Sequence, residues 1–317
     1  MRLLAAPDKF RGTLTARQAA AAIATGAACA GWTAFELPLA DGGEGTLDVL
    51  GGGNRQTTVT GPLGDPVEAE WRLEEDGTAL VEVALACGLS LAGGPEGNDP
   101  LRATSSGVGE LIAAAAAEGA RKVVVAVGGV ASTDGGVGAV EALPAHLPQL
   151  EVACDVEARF LDAADVFAPQ KGATTEQVRI LRERLAQLDI PDLPGAGAAG
   201  GLAGGLAAMG ARLVPGFDLV ADRLGFDERL AEADLVVTGE GLLDATSFTG
   251  KVVGRVLERA ATAGVETLVL AGEVAANSPI DAFSLVERYG SERALSEPAE
   301  CLAELVATAL ATRRNGP

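Results

Sequence analysis

The chain has 317 residues, of which 48% are hydrophobic, and its 44 acidic side chains against 24 basic ones give a formal net charge of −20. An acidic surface argues against binding to nucleic acid or to an anionic membrane, because both need basic side chains to neutralise phosphate. The length suffices for one large α/β domain or for two smaller ones.

Histidine and cysteine are too scarce for several kinds of catalytic site. The four cysteines show no CxxC spacing, and the single histidine, His146, lies between two prolines. We therefore do not expect a serine–histidine–aspartate triad, a cysteine–histidine pair or a histidine-rich metal site. No apolar run approaches the roughly 20 residues that span a bilayer, and no signal peptide is evident, so we expect a soluble, cytoplasmic protein.

Along the chain, hydrophobic patterning predicts strands and helices in alternation. Strands are expected over residues 3–6, 34–39, 123–127, 151–154, 235–238 and 267–271. Helices are expected over residues 16–27, from 46, over 107–117, from about 136, over 177–188 and within 195–210. Thr15 is the expected cap of the first helix. Alternation of this kind is typical of an α/β fold with a largely parallel sheet, which gathers ligands at the carboxyl ends of its strands.

One segment departs from this rhythm. Residues 55–60, 67–73 and 79–84 alternate polar and apolar side chains and are separated by Gly-Pro and Asp-Gly turns. This pattern predicts an antiparallel meander. We interpret the meander as part of a second domain.

Lysine is rare and unevenly placed. Only Lys9, Lys122, Lys171 and Lys251 occur, and all but Lys122 lie in short motifs that read as loops. A genome that encodes few lysines could leave this pattern by chance. Alternatively, the three loop lysines supply compact ammonium groups around an anionic substrate.

The loop over residues 40–45 follows a predicted strand and contains three glycines together with Asp41 and Glu44. Glycines bring backbone amides within reach of a ligand, and the two carboxylates could hold Mg²⁺ or orient a hydroxyl. A plain turn is the alternative.

The loop over residues 128–136 is denser in glycine and also carries Ser132 and Asp134. It follows a buried strand and opens a predicted helix, so it offers amide donors for phosphate together with one carboxylate. A purely structural turn remains open here too.

Further polar groups follow other predicted strands or begin helices. Asp155, Glu240 and Asp244 provide carboxylates, while Ser105 and Ser106 could either cap a helix or bind an anion. Residues 195–200 satisfy GxGxxG, but no buried strand precedes them. A dinucleotide site, and with it a Rossmann oxidoreductase, is therefore disfavoured against close packing or anion contact through amides. Together, the carboxylates, glycine loops and lysines are the groups that phosphoryl transfer needs.

The order of these motifs resembles that of the bacterial two-domain glycerate kinases. The similarity extends over nearly the whole chain to about residue 275. The stretches that carry it are 6–15, 38–46, 61–66, 104–112, 128–136, 153–156, 167–173, 194–201 and 238–251.

This resemblance implies phosphorylation of D-glycerate by ATP with Mg²⁺, in most members giving 2-phosphoglycerate. It implies a Rossmann-like (flavodoxin-like), mostly parallel domain and a second, smaller α/β domain, with the active site in the cleft between them. We expect the first domain over residues 1–55, about 101–155 and 230–317, and the second over about 56–100 and 156–229. The protein is expected to be a monomer or a homodimer.

Residue roles follow from the resemblance together with residue type. The expected catalytic residues are Lys9, Asp41, Asp134, Lys171 and Lys251. The expected substrate-binding residues are Asp8, Glu44, Ser105 and Ser106. The expected nucleotide-binding residues are Gly128, Gly129, Ser132, Gly135, Gly197 and Gly200. The expected Mg²⁺ ligands are Asp155, Glu240 and Asp244.

Two departures from the family pattern bear on function. Val130 replaces a serine in the 128–136 loop, and Leu242 replaces an arginine. Either lost group could contact an anion. The alternative reading is therefore a kinase-like relative that takes another hydroxy acid, or that has reduced or lost catalysis and acts as a binding protein.

Overall fold

The computed structural model describes residues 1–10 and 12–314. Its strands are β1 (Arg2–Ala5), β2 (Thr33–Glu36), β3 (Arg55–Thr60), β4 (Pro66–Leu73), β5 (Thr78–Glu82), β6 (Lys122–Ala126), β7 (Gln149–Ala153), β8 (Arg212–Val214), β9 (Leu235–Leu243), β10 (Glu266–Val274) and β11 (Phe283–Ser284). Its α-helices are α1 (Ala16–Cys29), α2 (Thr46–Val49), α3 (Ala84–Cys87), α4 (Gly94–Gly97), α5 (Ser106–Ala117), α6 (Val137–Ala142), α7 (Ala163–Phe167), α8 (Thr175–Leu185), α9 (Leu202–Ala208), α10 (Gly216–Leu224), α11 (Phe226–Ala231), α12 (Val252–Ala263), α13 (Leu285–Tyr289), α14 (Ser291–Ser296) and α15 (Pro298–Arg314). None of the helices in residues 1–10 and 12–314 is long and apolar enough to cross a membrane.

The chain forms two compact units, each with its own sheet. Unit 1 comprises Met1–Asp41 and the chain from Phe217 onward, whereas unit 2 is the continuous segment Gly42–Gly216. Unit 2 is thus inserted into unit 1 between β2 and the body of α10. This α/β architecture with two mostly parallel sheets confirms the predicted fold class.

Unit 1 is a doubly wound parallel sheet with the order β11-β10-β9-β1-β2. Successive side chains of a strand point to opposite faces. Leu3 accordingly packs with α1 and α15, while its neighbour Leu4 packs with α10, α11 and α12. Helix α1 begins where expected, because Thr15 accepts a hydrogen bond from Gln18 N (3.2 Å) while Gln18 Oε1 accepts one from Thr15 N (2.9 Å). This capping box satisfies amides that the first turn leaves unpaired.

Unit 2 contains a six-stranded mixed sheet with the order β3-β4-β5-β6-β7-β8. Strands β3, β4 and β5 form the predicted antiparallel meander, and β5 to β8 are parallel. Val81, Val125 and Val152 lie in register across the parallel part and are fully or almost fully buried. Strands buried on both faces carry such continuous apolar runs.

The observed division of the chain differs from the expected one. Residues 101–155 were expected with the first domain, but β6 and β7 lie beside β5 in unit 2, which is the larger unit rather than the smaller. The physical reason is that β5 needs a partner on each side. On one side it pairs with β4 of the meander, and on the other side its buried backbone groups hydrogen-bond with β6.

Two further expectations are corrected by the backbone. Strands β9 and β10 do not end at residues 238 and 271 as expected, because they continue to pair with each other as far as Leu243 and Val274. The glycine-rich stretch over 195–210 is not one helical segment. A 3-10 turn over Ala198–Gly201 precedes α9, and positive φ angles at Ala199, Gly200 and Gly201 break the helical conformation there.

Candidate functional site

In unit 1, chain segments beyond the carboxyl ends of β1 and β2 bring acidic residues together. Asp8 N donates to Gly239 O (2.9 Å), and Leu39 N donates to Pro7 O (2.9 Å). Pairing of β1 with β9 ends at Val237, so Glu240 lies beyond the end of β1 although it is still inside β9. The predicted residues Asp8, Asp41 and Glu240 therefore lie at the carboxyl ends of the strands of unit 1. We call this set of residues the acidic edge.

The electrostatics of this edge favour uncharged carboxyl groups. Burial raises the pKa of Asp8 to about 7, and the neighbouring Asp41 carboxylate adds to the rise. Burial likewise raises the pKa of Glu240, although Ser247 and Lys251 partly offset the effect. Carboxylates crowded in this way repel one another until a cation neutralises them.

Lysines face the same edge. Lys9 lies next to Asp8, and the Asp8 carboxylate accepts a hydrogen bond from Lys9 N (2.6 Å). Lys251 immediately precedes the 12-residue helix α12 and interacts electrostatically with Glu240 and Asp244. An ammonium group beside a helix N-terminus suits an anionic ligand. Sequence motifs that are far apart in the chain thus converge in this unit.

The donor set at this edge suits Mg²⁺. Glu240 Oε1 is buried and has no hydrogen-bond partner among the described residues. Within that same part of the chain, no three His, Cys, Asp or Glu side chains lie close enough to hold one metal ion by themselves. Mg²⁺ commonly takes only one or two carboxylates and completes its shell with phosphate oxygens and water. Glu240, together with Asp8 or Asp41, fits that mode.

The other two expected metal ligands have local structural partners. Asp244 caps the 3-10 turn over Ala245–Phe248, where Oδ1 accepts from Thr246 N (2.7 Å) and Thr246 Oγ1 (2.6 Å). These bonds lower the pKa of Asp244. Asp155 lies in unit 2, and its Oδ1 accepts from Gly216 N (2.8 Å). The expected set is therefore divided between the two units.

In unit 2, the glycine loop that begins at Gly42 lies across the carboxyl ends of successive parallel strands. A Cβ atom on Gly128 would lie 2.8 Å from Gly43 Cα, so the loops after β2 and β6 touch through backbone alone. A Cβ on Gly129 would lie 3.5 Å from Glu44 Oε2. The structure therefore brings Glu44, Gly128 and Gly129 close together.

Glu82 binds this loop from the end of β5 but was not predicted as a site residue. It is 4% exposed, and its two carboxylate oxygens accept from Gly45 N and Leu47 N, each at 2.9 Å. An acidic residue at the end of a buried strand is the signal that singled out Asp155. The signal was missed because the strand was expected to run to residue 84, which placed Glu82 in its interior.

Asp134 is held on both carboxylate oxygens. Oδ2 accepts from Ser105 N (2.9 Å), Ser105 Oγ (2.7 Å) and Gly138 N (3.2 Å), and Oδ1 accepts from Gly136 N (3.1 Å). The Ser105 hydroxyl also accepts from Ala139 N (3.0 Å). Asp134 and Ser105 thus join the start of α5 to the start of α6. Their neighbour Ser106 is hydrogen-bonded through its hydroxyl to Thr104.

Lys171 is almost fully buried. Its ammonium donates to Ser132 O (2.6 Å) and Thr133 Oγ1 (3.4 Å), and it is 4% exposed. Burial lowers the pKa of Lys171 to about 8. The Ser132 hydroxyl is also buried and has no partner among the described residues. Lys171 therefore fastens the 128–136 loop from within unit 2.

The GxGxxG glycines serve close backbone packing. A Cβ on Gly197 would collide with the carbonyl oxygen of Arg159, and one on Gly200 with that of Ser132. A Cβ on Gly135 would lie 2.6 Å from a methyl group of Leu188. The packing interpretation of this motif accounts for these contacts, and nucleotide binding by Gly135, Gly197 and Gly200 stays a prediction.

The two departures from the family pattern lie in different surroundings. Val130 is 4% exposed within the apolar core of unit 2, and its backbone pairs with Gly88. The Val130 side chain therefore packs in the core of unit 2. Leu242 is 51% exposed in the extension of β9, so only this substitution changes an accessible surface.

Comparisons with known proteins identify the family of this chain. The chain matches the glycerate kinase family over residues 3–149 and 147–313. The chain belongs to the glycerate kinase family. It is similar to a glycerate kinase of Halalkalibacterium halodurans (35% identity, covering 98% of this chain and 97% of the relative) and to glycerate 2-kinase of Escherichia coli K12 (37%, 80% and 80%). An uncharacterised protein of Mycobacterium bovis is 42% identical over the whole chain and 93% of its own length.

A solved structure agrees with the family assignment. The crystal structure of a protein assigned as glycerate kinase 2 from Salmonella typhimurium LT2 superposes with a TM-score of 0.79 at 32% identity, covering 100% of this chain and 99% of that one. Membership of the family makes this chain a kinase. The strand-end clusters of unit 1 and unit 2 are accordingly its candidate site residues.

Proposed function

We propose that this chain transfers the γ-phosphoryl group of Mg·ATP to D-glycerate and forms 2-phosphoglycerate. The observation that carries the proposal is the family match over residues 3–149 and 147–313, which includes both strand-end clusters. Convergence of Asp8, Lys9 and Asp41 in unit 1 supports it, because phosphoryl transfer depends on positioned cations and a carboxylate beside the attacking hydroxyl. A cytoplasmic location and a monomeric or homodimeric state stay predictions.

Two of the expected catalytic residues are carboxylates, Asp41 and Asp134, and their environments favour Asp41 as the base that accepts the hydroxyl proton. Asp134 accepts four hydrogen bonds from unit 2, which hold it as a structural tie. Asp41 instead lies in the acidic edge of unit 1, near enough for its carboxylate to act on the buried Asp8. We assign Asp41 to accept the glycerate hydroxyl proton.

We assign the roles of the other expected site residues from the charge of each side chain. Lys9 and Lys251 stabilise the negative charge on the transferred group, and Lys171 acts indirectly by fixing the 128–136 loop. Glu240 with Asp8 would hold Mg²⁺, which supplies charge neutralisation at the phosphates when it is bound. A cation held there would favour the ionised form of Asp8, because a nearby positive charge lowers the pKa of a carboxyl group.

The deciding experiment is a coupled ADP-release assay with Mg·ATP and D-glycerate. Product is read through enolase alone and, in parallel, through phosphoglycerate mutase followed by enolase. Turnover through enolase alone supports a glycerate 2-kinase. Turnover that needs the mutase contradicts the proposed product. Asp41→Asn, matched with Asp65→Asn on an exposed turn, shows whether the activity belongs to this chain. We expect a loss of at least about 100-fold in kcat for Asp41→Asn only.

The alternative of a changed substrate now depends on Leu242 alone, because Val130 lies in the core. Loss of an exposed arginine near Glu240 removes a charge-assisted bond that a substrate carboxylate could have used. A panel of hydroxy acids with the same ADP readout tests this alternative. A higher kcat/KM for another acid than for D-glycerate would favour it.

A further inference from the structure

We infer that Glu82 is a positioning residue of the kinase site, which fixes the loop that presents Glu44. The inference rests on the proposed function, because it assigns Glu82 a part in the same reaction. Glu82 ends β5 and points both carboxylate oxygens at the loop, where each accepts one backbone amide.

The loop is anchored to three adjacent strand ends. Glu82 follows β5 and holds Gly45 and Leu47 through hydrogen bonds. Gly128 follows β6 and touches Gly43 through backbone. Ala153 ends β7, and its Cβ would lie 3.0 Å from a Cβ on Gly42. Of these three anchors only Glu82 holds the loop through side-chain hydrogen bonds, so it is the one that a substitution can weaken without altering the backbone.

The bonded amides determine where Glu44 points. Gly45 adopts a left-handed backbone conformation with φ +92°, directly after Glu44. Glycine populates several backbone conformations, so the loop around Gly45 keeps one geometry only when its neighbours are held. With Gly45 N and Leu47 N bound, the Glu44 carboxylate is directed toward Gly129. Released amides would let Glu44 sample other orientations.

Glutamine is the informative replacement at Glu82. Its side chain has the same length, but one acceptor oxygen becomes an NH2 donor that faces a backbone N–H. One of the two amide bonds is therefore lost while the packing volume is retained. Aspartate keeps both acceptors on a shorter side chain, so Glu82→Asp should recover part of the activity.

The matched control is Glu110→Gln. Glu110 also binds backbone with a carboxylate in unit 2, where it accepts from Thr60 N and Thr60 Oγ1, each at 2.7 Å, but it joins α5 to β3 rather than holding the loop. Glutamine at position 110 can still accept from Thr60 N and donate its NH2 to the Thr60 hydroxyl, so this control removes a carboxylate charge from unit 2 without disturbing the loop. Three readouts are compared: the melting temperature, kcat and KM for D-glycerate, and amide hydrogen exchange in the peptide containing residues 43–47.

We expect Glu82→Gln to lower kcat/KM at least tenfold, mainly through a higher KM, and to speed exchange at Gly45 and Leu47. Glu110→Gln should stay within threefold of wild type at a similar melting temperature. Equal effects of both variants on kcat/KM, or unchanged exchange in the loop of Glu82→Gln, would overturn the inference. A wild-type protein that does not turn over glycerate contradicts the proposed function instead, and the exchange comparison still decides whether Glu82 holds the loop.

Discussion

At the scale of single residues, the site is set by how burial changes the ionisation of a few side chains. Asp8 and Lys171 are only 8% and 4% exposed. Burial raises the pKa of Asp8 and lowers that of Lys171, so it favours the neutral form of each side chain. Both shifts make the folded state sensitive to pH. They act in different pH windows because one group is an acid and the other is a base.

Asp8→Asn should stabilise the protein at pH 8. The pKa of Asp8 is raised to about 7 in the fold from 3.8, so the folded state binds more protons than the unfolded state between these values. Its contribution to stability is therefore present below about pH 4 and is lost as pH rises through 7. We expect a gain of roughly 1–3 kcal/mol at pH 8 and little at pH 4, measured by urea unfolding.

Asp244→Ala is the opposite case in the same unit. The pKa of Asp244 is lowered by hydrogen bonds from Thr246, so its stabilising contribution is present at pH 8 and is lost in acid. We expect this variant to be destabilised by about 1 kcal/mol at pH 8.

For Asp8→Asn, a loss of stability at pH 8 would contradict the prediction, because it would show that the negative charge of Asp8 is already neutralised in the fold.

The lowered pKa of Lys171 predicts that the free energy of unfolding rises at alkaline pH. Its pKa is lowered to about 8 from 10.5, so between these values the unfolded state binds the proton that the folded state has released. The free energy of unfolding should therefore increase from pH 8 to 10.5, by up to roughly 3 kcal/mol. The comparison is Lys171→Met, which should lack this rise, with Lys122→Met, a lysine paired with Glu151, which should retain it. Equal pH dependence in both variants would contradict the assignment.

At the scale of elements, strands are positioned by pairing partners and loops by close backbone contacts. β5 could be assigned to the meander from its pattern, but its parallel partner β6 follows only after 39 intervening residues. The 3-10 turn before α9 depends on the approach of Gly200 to Ser132. A local pattern contains neither piece of information, because both partners are distant in the chain.

Gly200→Ala should be far more damaging than Gly264→Ala. The two glycines have nearly the same φ, +67° and +69°, but a Cβ on Gly200 would collide with the Ser132 carbonyl, whereas nothing lies within 4 Å of one on Gly264. The backbone penalty alone is about 1–2 kcal/mol. We expect that cost for Gly264→Ala and several kcal/mol for Gly200→Ala, measured by chemical denaturation. Equal costs would show that the loop moves freely away from Gly200.

At the scale of the whole molecule, the excess of acidic residues governs how stability responds to salt. The 44 acidic residues outnumber the 24 basic ones, and many arginines are already paired on the surface, as Arg259 is with Asp218 and Asp227. The remaining negative charges repel one another over distances that salt shortens.

The melting temperature should rise when KCl is increased from 10 to 150 mM. The Debye length falls from about 30 to about 8 Å over this range, so self-repulsion is screened. A gain of about 1 kcal/mol would raise the melting temperature by roughly 2–4 °C in a protein of this size. MgCl2 at equal ionic strength separates screening from binding, since an extra rise with Mg²⁺ indicates a specific site. An unchanged melting temperature in KCl would exclude self-repulsion as a significant term.

The sequence by itself determined the α/β class, the meander, the Thr15 cap and the family, because each depends on local pattern or on ordered motifs. It also identified most of the residues that unit 1 gathers at its acidic edge. Only the tertiary structure decided that β6 joins β5, that Val130 faces the core, that Asp134 and Ser105 hold two helices together, and that Glu82 fixes the glycine loop. These facts depend on which distant backbone atoms come within hydrogen-bonding or van der Waals distance, and residue type and spacing along one chain do not specify those partners.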